Sequence, residues 1–276
     1  MNKHDVIVCF KNGIGREFIK DCRSEIPKVL WIHGGIPFVD KSINFDLSQF
    51  TKIVCLTDTL LAYLQQKNPD VHEKFIRIYN PLQIDTLRQA SHATTEDFGD
   101  FFVCVSRLYI DKDIKTVIDA YDSFFQRTKS TTALYLVGDG PSALEFQEYA
   151  ASKSSAQQII FKGYQKNPFV FMKQAKAVIL SSASEGLPCV LCEGLACSEG
   201  VVISSDCPCG PREVLLDGKC GLLFPVGDTE KLSYYLSEVD CGAITRSDFE
   251  AYIPESLERF ASHHIYEELC TLFETC

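Results

Sequence analysis

"FFVCVSRLYIDKDIKTVIDAY", from Phe101 to Tyr121, contains the structural unit that repeats along this chain. Its first five residues form a continuous apolar run, which is typical of a strand buried on both faces of a parallel sheet. From Asp113 onward the apolar positions follow the spacing of an amphipathic helix. The stretch therefore predicts a buried strand, a polar loop and a helix.

The same unit recurs on both sides of this stretch. Strand-like runs precede it as "DVIVCF", "KVLWIH", "KIVCLT" and "FIRIYN", and follow it as "ALYLVG", "QIIFKG", "AVILSS", "GVVISS" and "GLLFP". Helical periodicity separates them, as in "PSALEFQEYA" and "TEKLSYYLSEV". Alternation of this kind predicts an α/β, doubly wound architecture with parallel sheets.

The alternation breaks once, in the polar stretch from Asn80 to Asp100 that begins with Asn-Pro. We interpret residues 83–99 as a linker between a first domain, 1–82, and a second domain, 100–276. A chain of 276 residues that is 46% hydrophobic can form two packed cores. The first domain holds four predicted strands and the second holds six, so the first is abbreviated.

Composition excludes several classes of function. The net charge of -10 argues against a nucleic-acid partner, and no apolar window reaches the ~18 residues that a membrane span requires. The 13 cysteines, an odd number placed in apolar runs, indicate a reducing compartment, and we expect a cytoplasmic protein without disulfides. A four-thiolate zinc site is an alternative for these cysteines: Cys189, Cys192, Cys207 and Cys209.

Two glutamates define the candidate site, in "SEGLPCVLCE" from Ser184 to Glu193. Glu185 follows a predicted strand, at the sheet edge where ligands bind in open α/β folds. Pro188 fits the first position of a helix running to about Ser198, which places Glu193 one and a half turns inside it. The two carboxylates would then bracket a helix N-terminus that attracts anions, an arrangement that matches a nucleotide-sugar. The alternative is a loop charge and an exposed helix residue.

Two cations lie at a neighbouring strand end. Arg107 and Lys112 follow the strand "FFVCVS", and together they could neutralise a leaving diphosphate without a metal. A solvated basic turn is the alternative. Asp111 and Asp113 imitate the D-x-D of metal-dependent sugar transferases, but we interpret Asp113 as a helix N-cap and expect no metal.

Four segments, "VSRLYIDKD", "LYLVGDGP", "SASEGLPCVLCEGLACSEGVVISSDCPCGPREVL" and "GLLFPVGD", resemble the retaining glycosyltransferases of family 4, which have the GT-B fold of two Rossmann-like domains. The segments occur in the family's order and cover the second domain almost end to end, with the family's E-x7-E signature at Glu185 and Glu193. Fainter similarity continues upstream in "VLWIHGG" and "IYNPLQID".

The resemblance implies roles for individual residues. Arg107 and Lys112 match the pair that grips the donor diphosphate, Glu185 the residue that binds the transferred sugar, and Glu193 the one that holds the ribose. The family's loop whose backbone approaches sugar and phosphate is matched by Gly186, Leu187 and Pro188. A histidine that reaches the sugar from the first domain is matched by His33, and a residue near the base by Tyr164. Gly138 and Gly140 are expected to shape a turn.

The family implies a reaction: transfer of a hexose or N-acetylhexosamine from a UDP-sugar, without a cofactor, to a saccharide or lipid-linked acceptor. Members that build bacterial surface glycans such as lipopolysaccharide or capsule are the most similar, which suggests peripheral contact with the cytoplasmic face of the membrane. A nucleotide-sugar-binding module that needs a partner chain is the alternative. The sequence lacks the G-x-G-x-x-G motif of an oxidoreductase and the G-x-S-x-G motif of a hydrolase, which argues against both classes.

The start of the chain departs from the family pattern. Family members begin with further strands and a glycine-rich loop, whereas "DVIVCF" resembles a middle strand. "KNGIGREF", with Gly13 and Gly15, follows a strand and opens a helix but is a weak substitute for that loop. We therefore expect an exposed sheet edge in the first domain that recruits a second copy or a partner chain.

Overall fold

The computed structural model describes residues 5–10, 25–43 and 45–276, and the segment "KNGIGREF" lies outside them. Each of the ten predicted runs contains a strand, and every described strand pair is parallel. The strands are β1 (Ile7–Cys9), β2 (Lys28–Ile32), β3 (Lys52–Cys55), β4 (Phe75–Arg77), β5 (Phe101–Val105), β6 (Ala133–Val137), β7 (Ile159–Gly163), β8 (Ala177–Leu180), β9 (Val201–Ser205) and β10 (Leu222–Phe224). The GT-B type architecture of two Rossmann-like domains is confirmed.

The first sheet has the order β1-β2-β3-β4. Helices α1 (Ile36–Ser42) and α2 (Asp58–Lys67) follow β2 and β3. Alternate residues of β2 face different cores: Leu30 shares a cluster with the α2 residue Leu60, whereas Val29 belongs to a cluster that includes residues of the second domain. Both faces of this small sheet are therefore covered, as a parallel sheet requires.

The second sheet has the order β10-β9-β8-β5-β6-β7. Its helices are α4 (Ile114–Thr128), α5 (Ala143–Ala151), α6 (Phe169–Gln174), α7 (Cys189–Cys197), α8 (Gly210–Val214) and α9 (Thr229–Asp240). The strand order reverses between β5 and β8, which pair directly with Cys104 opposite Ile179. A reversal of this kind opens a crevice at the carboxyl ends of the two strands, where open α/β sheets bind ligands.

The predicted linker, 83–99, contains a helix that the sequence analysis did not anticipate. Helix α3 (Ile84–Ser91) packs against α6 and α7 of the second domain. Ser91 is its only fully buried residue, and its apolar side chains Ile84 and Leu87 pack against the core while partly exposed, which leaves only a weak apolar signal in the sequence. The domain boundaries 1–82, 83–99 and 100–276 stay a prediction.

The last two helices return from the second domain to the first sheet. They are α10 (Ile253–Glu258) and α11 (Ser262–Thr275). At their junction Leu82 donates its backbone N–H to Phe260 at 2.8 Å and accepts one from Ser262 at 3.2 Å. Arg77 at the end of β4 pairs with Glu268 of α11 at 3.0 Å. The final helix, predicted as part of the second domain, therefore also packs against the first.

Among the described residues, none of the helices combines the length and the apolar character needed to cross a bilayer.

Candidate active site

An ion pair joins the two loops at the point where the second sheet reverses. Lys112 ends a short 3-10 turn after β5, and Glu185 lies in the loop after β8. The Lys112 Nζ is 2.6 Å from Glu185 Oε1, and the two side chains are only 13% and 14% exposed. The backbone adds a second link, since the Ala183 N–H donates to the Asp111 carbonyl at 3.0 Å. The crevice thus holds a positioned cation and carboxylate.

Three serines that the sequence analysis missed fix these loops. The Ser182 hydroxyl donates to Glu185 Oε1 at 2.6 Å, and the Ser181 hydroxyl donates to the Lys112 carbonyl at 2.8 Å. Ser205, at the end of β9, donates its hydroxyl to the Ser182 carbonyl at 2.7 Å. The signal in the sequence was a pair of serines after a buried apolar strand, in "VILSSASE".

A cavity of about 450 Å³, here called the cleft cavity, lies between the two domains. The second domain contributes charged groups and backbone, and the first contributes the β2–α1 loop and the exposed side of α1. The lining residues are His33, Gly34, Gly35, Pro37, Phe38, Lys41, Arg107, Asp111, Lys112, Ser184, Glu185 and Gly186.

A second cavity of about 300 Å³, here called the inner cavity, lies within the second domain. Its walls are mostly apolar or backbone, with two carboxylates, one guanidinium and one exposed aromatic ring. They comprise Val105, Ser106, Arg107, Val137, Gly138, Asp139, Tyr164, Gln165, Pro168, Val190 and Glu193. The two predicted glutamates therefore face different cavities.

Arg107 lines both cavities. Its side chain is exposed, and within the described ranges it forms no ion pair; its guanidinium lies 5.4 Å from the centre of the Tyr109 ring. An unpaired guanidinium at the junction is available to bind a phosphate group that spans the two spaces.

Glu193 is half-buried in α7 and faces the inner cavity. Burial raises the pKa of its carboxyl, and no side chain or backbone N–H in the described part of the chain donates a hydrogen bond to it. A carboxylate desolvated without a donor is unfavourable unless a ligand supplies one. The alternative of a fully exposed helix residue therefore does not apply to Glu193.

The domains meet closely at two glycines. A Cβ on Gly35 would lie 2.1 Å from the Glu185 carbonyl oxygen, and a Cβ on Gly186 would lie 2.5 Å from the His33 carbonyl oxygen. Side chains at these positions would push the loops apart. The absence of side chains lets the first domain form one wall of the cleft cavity.

The two residues after Gly186 anchor the loop through the core and the start of α7. Leu187 is buried in the core, and Pro188 is the N-cap of α7, one residue before the position predicted for it. Helix α7 ends at Cys197, within one residue of the predicted end. The side chains of Leu187 and Pro188 line neither cavity, so any ligand contact from them would come through the backbone.

Two further predicted residues lie at the cavity edges. His33 directly follows β2 and lines the cleft cavity, and burial lowers the pKa of its imidazole, which favours the neutral form at pH 7. Tyr164 follows β7, is 76% exposed and lines the inner cavity.

Turn geometry accounts for other residues singled out in the sequence. A Cβ on Gly138, whose φ is +136°, would lie 1.8 Å from the Ser106 carbonyl oxygen, which supports its role in the turn. Asp113 is at the N-cap of α4 as expected, but its carboxylate accepts the Thr116 hydroxyl at 2.7 Å instead of a backbone N–H.

Possible metal ligands lie away from the two cavities. Within the described ranges, Cys189, Cys192, Cys207 and Cys209 are free and do not form a metal-binding group, so the zinc alternative gains no support. Among the described residues, the side chains close enough together to hold a metal ion are those of Glu258, His263 and His264, all exposed, at the junction of α10 and α11.

Comparison with known families places the site in context. Residues 87–255 match the family model described as "Glycosyl transferases group 1". The matched span contains Arg107, Lys112, Glu185 and Glu193 and leaves out His33.

Two similar proteins are lipopolysaccharide 1,6-galactosyltransferases. The protein of Salmonella typhimurium is 32% identical over 188 residues, which cover 66% of this chain and 50% of that protein. The protein of Escherichia coli is 29% identical, with 96% of this chain and 71% of that protein covered. The chain thus spans from half to about seven tenths of the length of these relatives.

Solved structures share the fold. TarM has a TM-score of 0.81 at 19% identity, with 97% of this chain and 54% of TarM covered. The pneumococcal O-GlcNAc transferase GtfA, solved with UDP and GlcNAc, has a TM-score of 0.80 at 18% identity and covers 99% of this chain and 57% of its own. The apo lipopolysaccharide outer core galactosyltransferase WaaB has a TM-score of 0.77 at 22% identity, with 99% of this chain and 76% of WaaB covered.

Proposed function

Because this chain belongs to the group 1 glycosyl transferases, we propose that it transfers a hexose or N-acetylhexosamine from a UDP-sugar to a saccharide acceptor with retention at the anomeric carbon. The reaction would extend a bacterial surface glycan, and the lipopolysaccharide galactosyltransferases among the relatives support that setting. UDP in the structural neighbour GtfA supports the choice of nucleotide.

The observation that carries the proposal is the pair of cavities joined at Arg107. We place the ribose and base of the donor in the inner cavity, where Glu193 lacks a hydrogen-bond donor and ribose hydroxyls would supply one. Tyr164 stands at the edge for the base. The diphosphate then passes Arg107, and the sugar enters the cleft cavity beside Glu185.

Donor binding would exchange the partners of the Lys112–Glu185 ion pair. Sugar hydroxyls donate to the Glu185 carboxylate, and phosphate oxygens accept hydrogen bonds from the Lys112 ammonium. Arg107 and Lys112 together would offset the charge that grows on the leaving diphosphate, which makes a metal unnecessary for binding.

Retention follows from same-face attack. The bond between the anomeric carbon and the phosphate oxygen breaks, the acceptor oxygen bonds to that carbon on the same face, and the acceptor proton passes to the leaving phosphate. Glu185 is held by Lys112 and Ser182, so it acts as a hydrogen-bond acceptor for the sugar. His33, with a lowered pKa, is a neutral partner for a sugar hydroxyl.

Titration calorimetry with UDP, with and without a chelator, tests the donor site. We expect dissociation constants in the micromolar to millimolar range in both conditions, and weaker binding for Glu193→Ala. Glu148→Ala, an exposed carboxylate on α5, is the matched control and should bind as the parent does.

The possible outcomes separate the readings. Loss of UDP binding on chelation would overturn the metal-free assignment, and a protein that never binds UDP would overturn the donor site. Donor binding without turnover of any UDP-hexose would favour the alternative of a nucleotide-sugar-binding module.

A further inference from the structure

The first domain presents an exposed aromatic ring to the cleft cavity. Phe38 in the first turn of α1 is 53% exposed and lines the cavity. The Phe38 ring packs directly against Gly34: a Cβ on Gly34 would lie only 2.0 Å from the Phe38 Cδ1 atom. The ring therefore fills the space that a side chain at position 34 would need. The Phe38 N–H also donates to the Gly35 carbonyl at 3.1 Å. A large apolar surface is thus held in place without being covered.

A cation without a partner lies one helical turn further on. Lys41 is exposed and lines the same cavity, and its ammonium forms neither an ion pair nor a hydrogen bond with any described residue. Residues three apart on a helix lie on the same face, so Phe38 and Lys41 present a ring and an ammonium side by side. The residues that bind the UDP-sugar in the proposed reaction, Arg107 and Glu185, belong to the second domain.

We propose that Phe38 and Lys41 form the acceptor subsite and that the acceptor is a phosphorylated saccharide. This inference rests on the proposed glycosyl transfer. The C–H face of a sugar ring is apolar and would stack on the exposed phenyl ring, which adds contact area with little loss of side-chain freedom. Lys41 would bind the phosphate as a point charge.

The charges and the size of the cleft cavity indicate where the phosphorylated sugar would lie. The carboxylate of Asp111 also lines the cavity and would repel an anion, so the phosphate is expected on the Lys41 side. A cavity of about 450 Å³ falls within the range of small-molecule sites. The competing use of Lys41, as a third cation for the donor diphosphate, predicts that its removal weakens UDP binding.

Saturation-transfer NMR on the full chain, with glucose and glucose 6-phosphate as probes, tests the subsite in the presence and absence of UDP. We expect glucose 6-phosphate to bind about three- to fivefold more tightly than glucose, the range of an exposed ion pair. Phe38→Ala should weaken both sugars at least threefold, and Phe38→Trp should restore them. Lys41→Gln should abolish the preference for the phosphorylated sugar and leave glucose unaffected.

Matched controls come from exposed residues far from the cavities. Phe273→Ala on α11 and Lys129→Gln at the C-cap of α4 should bind both sugars as the parent does. Equal sugar signals for Phe38→Ala and Phe273→Ala would overturn the stacking platform. Weaker UDP binding for Lys41→Gln would assign that lysine to the donor and overturn its role here.

Failure of the two proposals would be distinguishable. If the parent protein does not bind UDP, the donor site fails, whereas the effects of Phe38→Ala and Lys41→Gln on sugar binding without UDP still decide the subsite. If UDP binds and neither sugar gives a signal that depends on Phe38, the subsite fails and the donor site stands.

Discussion

The backbone N–H of Asp58 donates to both carboxylate oxygens of Glu213, at 3.0 Å each. Asp58 is the first residue of α2 in the first domain, and Glu213 belongs to α8 in the second. A carboxylate of one domain therefore caps a helix of the other, where the helix dipole favours negative charge. Tyr79 adds its hydroxyl to the same carboxylate, and Arg259 donates to the Glu213 carbonyl at 2.9 Å.

Removal of this carboxylate should loosen the joint between the domains. Glu213→Ala removes the acceptor of the Asp58 N–H and leaves the Tyr79 hydroxyl only the longer contact of 3.4 Å to Asp58 Oδ2. We expect a loss of about 1–3 kcal/mol in the free energy of unfolding. Urea denaturation measures it, with Glu148→Ala as control. A loss no greater than that of the control would show that the contact contributes nothing to stability.

Replacement of Glu193 should raise the thermal stability of the protein and weaken its binding of UDP. Its pKa is raised by burial, so the folded protein holds the proton more readily than the unfolded chain, and ionisation disfavours folding. The penalty is complete above the raised pKa and absent below the ordinary value of 4.5. Glu193→Gln should therefore melt at a higher temperature than the parent near pH 7, with the difference shrinking as the pH falls through the raised pKa and vanishing below 4.5.

The same variant should bind UDP about 10- to 100-fold more weakly, because the ribose hydroxyls lose a charged acceptor. Differential scanning fluorimetry and calorimetry measure the two effects in one preparation. A variant that is less stable at neutral pH and binds UDP normally would contradict both expectations.

Glu185 should affect the sugar and leave the nucleotide alone. Glu185→Ala removes the partner of Lys112 and the acceptor for the donor sugar, yet it frees the ammonium for phosphate. We expect UDP affinity to change by less than about threefold, or about 0.7 kcal/mol, because the freed ammonium can still reach the phosphate, and binding or turnover of intact UDP-sugar to fall at least tenfold. Equal losses for UDP and UDP-sugar would mean that the order of sugar and ribose along the two cavities is wrong.

The contact between the glycine loops should not tolerate a methyl group. Gly35→Ala brings a Cβ within 2.1 Å of the Glu185 carbonyl oxygen, so the β2–α1 loop must move and the cleft cavity changes shape. We expect transfer to fall at least tenfold with UDP affinity retained, since the inner cavity is untouched. Gly99→Ala is the control: its φ of +71° strains alanine by about 1–2 kcal/mol, far from the cavities.

The strands and the candidate site could be predicted from sequence because their signals are local. Runs such as "FFVCVS" are apolar over a strand's length, and the position of Glu185 at a strand end follows from the order of elements. Helix α3 could not be predicted in the same way, because most of its eight residues are polar and its apolar side chains Ile84 and Leu87, which face α6 and α7, are only partly buried.

Contacts between distant residues carry no local signal. Lys112 and Glu185 are separated by 73 positions, and nothing in either segment shows that they pair. The cap that Glu213 provides to α2 joins residues 155 positions apart. The first depends on how two loops meet at the edge of the second sheet and the second on how the domains meet, and the pattern of apolar residues encodes neither.

The return of α11 to the first sheet imposes an order on biosynthesis. Ile265 and Leu272 belong to the same buried cluster as Val29 and Val54, which lie in strands near the beginning of the chain. Translation produces these strands early, and one of their faces then awaits a helix made some two hundred residues later. The strands of the first domain are thus made before the second domain, yet one of their faces stays uncovered until α11 has been made, and until then this apolar face is a natural substrate for a chaperone.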